Sequence, residues 1–590
     1  MIKYRKLTKG RLGGAPSLWK FVHFGESNMP RRSLARLYRD EFSNYSLAKF
    51  QQDLLAGLTV AAAALPLALA FGAASGAGAA AGLITSIVGG LLIGLLGGAP
   101  YQISGAKAVT SVVLIVLVNR YGLEGMWFAT LFSGLLMLAI GLMRMGRFIA
   151  FVPAPVIRGF TLGIALIILI RQMDNLLGIK TPPTETAAQK LLGYFNNSFT
   201  PNIHAIIIGL IVMGIMILWP KRWNLYFPSS LVGLILAALL NWTLGWSAAI
   251  IGDIPKTLIL DQHLRLTNIP WTYLPDFIAP ALTLTALGSI EAFLCGAAGA
   301  NMTGTRLQVN QQLIGQGLGN MILPFFGAIP TTSAMIRTKI AIQAGGQTRM
   351  VSILHALILL ITLLLLAPFL AKIPLAALAG VLMVTAIRTI EWEAIKRKFG
   401  RRFKTNMAAF SIAMLATVIL NLTDAILVGT FLVGAAFLNK IASIDIDVQE
   451  IDIKRLRQRG IKNAGKCKHV RVAFLTGPLF FAAMGQFNEA FANLTDTHAL
   501  ILSMRGVPLI DTEGLEEIQR LYDKLHKQGG TLMFAGVHDT ARAMMERDGL
   551  VEIIGRENFF WSSDQAIVEA EKRGCRFCES ESTAIADALS

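Results

Sequence analysis

Lys107 is the only charged residue between Asp53 and Arg120, a stretch of apolar chain long enough to cross a membrane about three times. An ammonium at the centre of a membrane helix costs roughly 2.5–3.5 kcal/mol, so its position calls for a chemical reason. Two more charges are isolated in the same way: Glu291 stands alone between Asp276 and Arg306, and Arg337 is the first charge after Arg306. Lys107 follows Gln102-Ile-Ser-Gly105-Ala106, where a glycine breaks the helical pattern. Arg337 follows Gly327-Ala-Ile-Pro330-Thr-Thr332-Ser333-Ala334 and falls about two turns into its own segment. A cation beside a broken helix at membrane depth is suited to hold an anion, and a guanidinium matches oxyanion geometry. A buried carboxylate in such company pairs with a cation or carries a proton. Plainer readings stand beside these. Lys107 can snorkel to the surface from a shorter span, Arg337 can anchor the cytoplasmic end of a span, and Glu291 can form a purely structural ion pair with either. Two cations against one carboxylate leave +1, or +2 with Glu291 protonated. Charge counting alone does not choose between a monovalent anion and a divalent anion arriving with a proton.

The elements that position these residues are membrane spans. The chain is 54% hydrophobic and 15% charged, with a mean hydropathy of +0.56, where a soluble protein carries about 25% charged residues. Apolar blocks of roughly 20 residues recur from Leu54 to about Leu438 and then stop. About fourteen segments are expected, the first at 54–71, the third at 101–118, the eighth at 277–298, the tenth at 331–344 and the last at 423–439. An even number puts both termini on one side. Residues 1–50, with eleven Lys/Arg against three acids, make that side the cytoplasm. The net charge of +18 alternates with the spans and is assigned to topology and anionic lipid rather than nucleic acid. The third and tenth segments are both short and Gly/Pro-interrupted, and they occupy matching places if the spans divide into two inverted sets of seven. Such a pair points to a binding site near the midplane, with two helix N-termini facing each other.

The texture changes after about Ile441. Residues 1–50 are read as a basic arm, 51–443 as a transmembrane domain, 444–464 as a linker, 465–575 as a soluble α/β domain and 576–590 as a polar tail. Asp511-Thr512 opens a predicted helix, as a plain N-cap or as a site where Thr512 accepts phosphate. Cys295, Cys467, Cys575 and Cys578 are dispersed, so no disulfide framework is implied. Cys575-x-x-Cys578, with no second pair beside it, is read as a reduced tail and not as a metal site. The histidines lack metal-type spacing, and no nucleophile–base set is visible. The chain is therefore read as no enzyme, with neither cofactor nor metal.

The motifs resemble those of the sulfate permease family of anion transporters. In the membrane part these are Asp53-Leu-Leu-Ala-Gly57, Leu65-Pro66-Leu-Ala-Leu-Ala-Phe71, Gln102-Ile-Ser-Gly105, Val152-Pro-Ala-Pro-Val-Ile-Arg158, Leu313-Ile-Gly-Gln-Gly317 and Ile336-Arg337-Thr338. Thr476-Gly477-Pro478 and Ile510-Asp511-Thr512-Glu-Gly514 resemble a STAS domain. The resemblance implies two inverted repeats of seven segments, a homodimer, and a plasma (inner) membrane location. It implies a small inorganic anion, sulfate first and bicarbonate or a dicarboxylate next, held between the third and tenth segments. Site residues carried over are Phe71, Gly105, Ala106, Lys107, Thr332, Ser333, Ala334 and Arg337, with Glu291 at an acidic position linked to sodium in bicarbonate-type members. The sequence departs from the pattern at Leu67 (often glutamine), Gly105-Ala106-Lys107 (often Gly-Pro-Thr), Cys295 (often a hydroxyl) and Gln312 (often glutamate). A thiol is a poor ligand for a hard cation, and Lys107 would repel one. Lys107 is accordingly expected to act as a tethered cation replacing sodium, leaving transport proton-coupled or exchange-driven. The alternatives are sodium-coupled bicarbonate or dicarboxylate transport, and an anion-gated channel or sensor acting on a cytoplasmic partner through the STAS domain.

Overall fold

The computed structural model describes residues 34–146, 154–265, 274–396, 404–419, 444–450 and 467–575, less a few single positions and pairs inside those ranges, together with 434 and 578. The basic arm up to residue 33 and nearly all of both the expected last span at 423–439 and the tail lie outside the described residues. The chain forms two compact units, residues 1–429 and 430–590.

In the first unit, six helices among the described residues are long and apolar enough to cross a membrane: Leu47–Ala74, Ala79–Leu96, Ala108–Leu142, Pro155–Leu177, Pro275–Thr303 and Met350–Leu370. Shorter apolar helices accompany them at Ile203–Leu218, Ser229–Thr243, Leu375–Thr389 and Phe410–Ile419. Val309–Ile322 and Met335–Gln343 complete the part that surrounds the isolated charges. The third expected segment and the fourth, expected at 125–143, form one helical run, Ala108–Leu142, interrupted at Gly122, whose φ of 71° suits glycine alone without strain. The helical part of the third segment begins at Ala108 and not at 101, because the residues before it are extended.

The start of this unit is fastened by buried charge. Arg349 Nε pairs with Glu41 Oε2 at 2.8 Å, with side chains 2% and 8% exposed, and its Nη1 donates to Leu95 O at the end of the Ala79–Leu96 helix (3.0 Å). The Tyr38 ring lies 4.3 Å from the same guanidinium. This holds the short Leu34–Phe42 helix to the membrane unit. Asp53, fully buried, accepts hydrogen bonds from Tyr45 Oη (3.1 Å), Thr348 Oγ1 (2.5 Å) and Gln347 N (2.7 Å). Each charge taken out of water is thus met by several partners, as it must be.

The second unit is a five-stranded sheet in the order β3 (Asp445–Glu450), β4 (Val470–Thr476), β5 (Ala499–Gly506), β6 (Thr531–Ala535) and β7 (Phe559–Phe560). The β3–β4 pair is antiparallel and the others are parallel. Part of the stretch read as a linker is therefore an edge strand of this sheet. Strand alternation sends Leu500, Leu502 and Phe534 to one face, under Leu515, Ile518, Leu521 and Leu525 of the Thr512–Lys527 helix. Val470, Val472, Ile501 and Met533 go to the other, under Ala566, Ile567 and Ala570 of the Ser563–Lys572 helix.

Removing Glu41 leaves the Arg349 charge buried without its carboxylate. Glu41→Ala is expected to cost about 3–5 kcal/mol and to lower the thermal midpoint of the detergent-solubilised protein. Glu546→Ala, which breaks the exposed Arg542–Glu546 pair, is expected to cost less than about 1 kcal/mol. Equal midpoint shifts for the two variants would contradict the fastening role.

Candidate functional site

Two non-helical approaches, residues 97–107 and 327–334, run through the interior of the first unit, and their backbone groups need partners there. They find them chiefly in each other. β1 (Ser104–Gly105) pairs antiparallel with β2 (Thr332–Ser333), and Ala334 N donates to Ile103 O (2.8 Å). Ile103 N donates to Thr338 Oγ1 (3.0 Å). The Val309–Ile322 helix supplies much of the rest through three amides one turn apart. Gln312 Oε1 accepts from Gly98 N (3.0 Å) and Ala99 N (3.2 Å), Gln316 Nε2 donates to Thr331 O (3.3 Å), and Asn320 Oδ1 accepts from Thr331 N (2.8 Å). Thr85, at the start of a π-helical turn (Thr85–Gly89), accepts from Ile329 N (2.9 Å). Gln312, for which the sequence suggested no consequence, thus closes the turn that leads into β1.

Because β1 and β2 are antiparallel and each leads directly into a helix, Ala108–Leu142 and Met335–Gln343 leave the crossing in opposite directions. Their N-terminal ends, with free first-turn N–H groups and the positive end of the helix dipole, stay at the crossing. Lys107 and Ala334 are the N-cap residues, both extended, and neither side chain caps its helix. Lys107 is therefore just outside its helix. Arg337 is the third residue of its helix, in the first turn rather than two turns along, because the chain stays extended through Ala334.

Around the crossing the charges sort themselves. Lys107 Nζ lies 2.6 Å from Glu291 Oε1 and donates to Ser333 O (3.1 Å). Arg337 is 2% exposed, and its Nη2 donates to Ala106 O (3.1 Å). Its Nη1 has no hydrogen-bond partner among the described residues, and neither have the buried Oγ of Ser86, Ser104 and Ser289, Thr332 Oγ1 or Glu291 Oε2. A Cβ on Gly105 would stand 2.5 Å from Arg337 Nη1 and 2.7 Å from Ser86 Oγ, so any side chain here would have to displace the end of the guanidinium. Ser333 Oγ donates to Gln316 Oε1 (3.4 Å). Cys295 Sγ contacts Thr338 Oγ1 (3.2 Å) and is spent on that contact.

Gly105, Ala106, Lys107, Thr332, Ser333, Ala334, Arg337 and Glu291 are thus brought together. Phe71 accepts from Ser111 Oγ through its carbonyl (2.9 Å) and lines a crevice with Ala108, Ser111, Arg171 and Gln172, next to the first turn of the Ala108–Leu142 helix. Thr512 belongs to the second unit, exposed at the first position of its helix, where Asp511 is the N-cap and accepts from Gly514 N (2.9 Å). Ser86, Ser104, Ser289 and Gln316 escaped the sequence reading. A signal for the first was present in Thr85-Ser86, a polar pair in the middle of an apolar span.

A polytopic helical membrane unit whose broken helices meet end to end around a buried guanidinium and a half-buried ammonium, followed by a separate α/β unit, is the architecture of an anion transporter with a C-terminal domain. The chain belongs to the sulfate permease family, whose description fits residues 50–416, and residues 463–566 match the STAS domain. Among curated relatives, the protein named "Putative sulfate transporter YvdB" of Bacillus subtilis is 29% identical, the match covering 90% of this chain and 99% of the relative. The bicarbonate transporter BicA of Synechocystis is 27% identical over 88% and 94%. Murine Slc26a9 in an inward-facing state shares the fold at a TM-score of 0.82 with 19% identity, covering 97% of this chain and all of that one. The transmembrane domain of a cyanobacterial BicA superposes at 0.59 with 30% identity, covering 65% of this chain and 98% of that domain.

Gly105→Ala places a methyl against Arg337 Nη1. It is expected to reduce anion uptake by roughly tenfold or more, as overpacking by 1–3 kcal/mol implies, with membrane expression kept. Uptake within twofold of wild type would show that the guanidinium position is unimportant.

Proposed function

We propose that this protein is a secondary active transporter of small inorganic anions working by alternating access, with sulfate as the first substrate, and that the anion binds at the β1–β2 crossing. The observation that carries the reading is the pairing of Lys107 with Glu291 at 2.6 Å, beside a buried Arg337 whose Nη1 is unpartnered. The pair is close to neutral, so Arg337 and the two helix ends supply the positive potential. An oxyanion near β1 and β2 would meet Arg337 Nη1, the hydroxyls of Ser86 and Thr332, and the first-turn N–H groups after Lys107 and Ala334. Phe71 would bound the site on the side of the crevice it lines.

The Lys107 ammonium occupies the position beside Glu291 that a metal cation would need, and Cys295 is turned to Thr338. These support proton coupling or anion exchange over sodium coupling. Protonation of Glu291 would free Lys107 to add its charge to the site, so that one proton and one divalent anion arrive together. The names of the BicA relatives favour bicarbonate as the second substrate, and the family resemblance makes sodium the rival coupling ion. The reading includes a homodimer in the plasma (inner) membrane with both termini cytoplasmic. It also includes a regulatory part for the STAS domain, where the exposed Thr512 can accept a phosphate at the start of its helix.

The test is uptake of labelled sulfate and bicarbonate into proteoliposomes under imposed proton or sodium gradients. Sulfate uptake driven by inward protons and independent of sodium is expected for wild type, with loss of the proton dependence in Lys107→Ala. Sodium-driven bicarbonate uptake that survives Lys107→Ala would overturn the tethered-cation reading and return Glu291 to a sodium site.

A further inference from the structure

Cysteine is scarce in this chain, four in 590 residues, yet three of the four meet at one point of the second unit. The sulfurs of Cys467, Cys575 and Cys578 all lie within 4.8 Å of one another, and Cys578 Sγ is 3.6 Å from Cys467 Sγ. Cys467 and Cys575 are buried, Cys578 partly so, and none of the three is in a disulfide. They come from two places far apart in sequence: the residues just before β4, and the turn that follows the Ser563–Lys572 helix. Cys575-x-x-Cys578 is a chelating spacing, and the third thiol that the sequence hid is supplied by the start of the sheet.

We propose that Cys467, Cys575 and Cys578 form a site for one zinc ion, bound as three thiolates with the fourth position taken by a non-cysteine ligand or water. Soft sulfur ligands at this spacing select a thiophilic d10 cation over the hard cations of the cytosol. Binding forms three Zn–S bonds and releases three thiol protons to solvent, giving a zinc-thiolate group of charge −1. The sequence brackets the cysteines with Lys466, Lys468, Arg573 and Arg576, a charge balance that suits this group. The hydrophobic packing of Cys467 and Cys575 against Val470, Val472, Ala566 and Ala570 shields the site. An ion here staples the chain leaving the last helix to the chain entering β4, closing the domain where its first parallel strand and its last helix meet.

The full-length protein, purified in detergent under a phosphine reductant, is stripped with a chelator and titrated with Zn²⁺ against a chromophoric competitor, and separately with Co²⁺. About one zinc per chain and a cobalt spectrum with thiolate charge-transfer bands are expected. Cys578→Ser is expected to weaken zinc binding by at least about tenfold and Cys575→Ser/Cys578→Ser by about a hundredfold or more, while Cys295→Ser binds as wild type does. Failure of the reduced wild type to take up either metal would overturn the proposal without reliance on any variant. So would uptake that persists in the double variant, or peptide mapping that finds Cys467 joined to Cys578 as a disulfide in protein alkylated before reduction.

Discussion

Extended backbone inside a bilayer has no water to satisfy it, and each orphan N–H or C=O there costs several kcal/mol. The pairing of Ser104–Gly105 with Thr332–Ser333 resolves that problem for two chain segments at once. Everything else at the site depends on it. The pairing is what allows two spans to begin at mid-depth, and its antiparallel sense is what turns their N-termini toward each other. It also delivers Ser333 O to the Lys107 ammonium and Ala106 O to the Arg337 guanidinium, so that both cations are held by backbone oxygens of the opposite or adjoining strand.

The two cations are treated differently, and the difference is chemical. An ammonium is a compact charge that accepts a single close carboxylate, and Lys107 has one in Glu291. A planar guanidinium can spend one nitrogen on structure and leave another uncommitted, as Arg337 does with Nη2 on Ala106 O and Nη1 without a hydrogen-bond partner among the described residues. One cation thus has a protonatable partner and the other retains an uncommitted donor. On the proposed reading, that division would supply one charge that can be switched and one that is always present.

Much of this was legible in the sequence because it appears there as anomaly. Three isolated charges and two short, interrupted segments stand out against an apolar background, and they point to the crossing without any knowledge of the fold. The depth of Arg337 was misjudged because Thr331 to Ala334 read as helix when they are extended, a choice made by tertiary pairing with β1 and not by local propensity. Gln312 was silent because its partners, Gly98 N and Ala99 N, lie more than two hundred residues away. Asp445–Glu450 read as linker because an edge strand with one solvated face alternates polar and apolar residues over too short a run to distinguish it from a charged connector. Cys467 carried no signal at all, since its companions are more than a hundred residues downstream.

The amides of Gln312, Gln316 and Asn320 sit on a single helix yet grip both approaches, one at Gly98 and Ala99, the other at Thr331. The two jaws of the site are therefore mounted on one rail. Their spacing is a fixed aperture rather than an adjustable one, and opening it would mean breaking hydrogen bonds that have no replacement in an apolar interior. On the proposed reading, an anion seated between them would be gauged by size before it is weighed by charge.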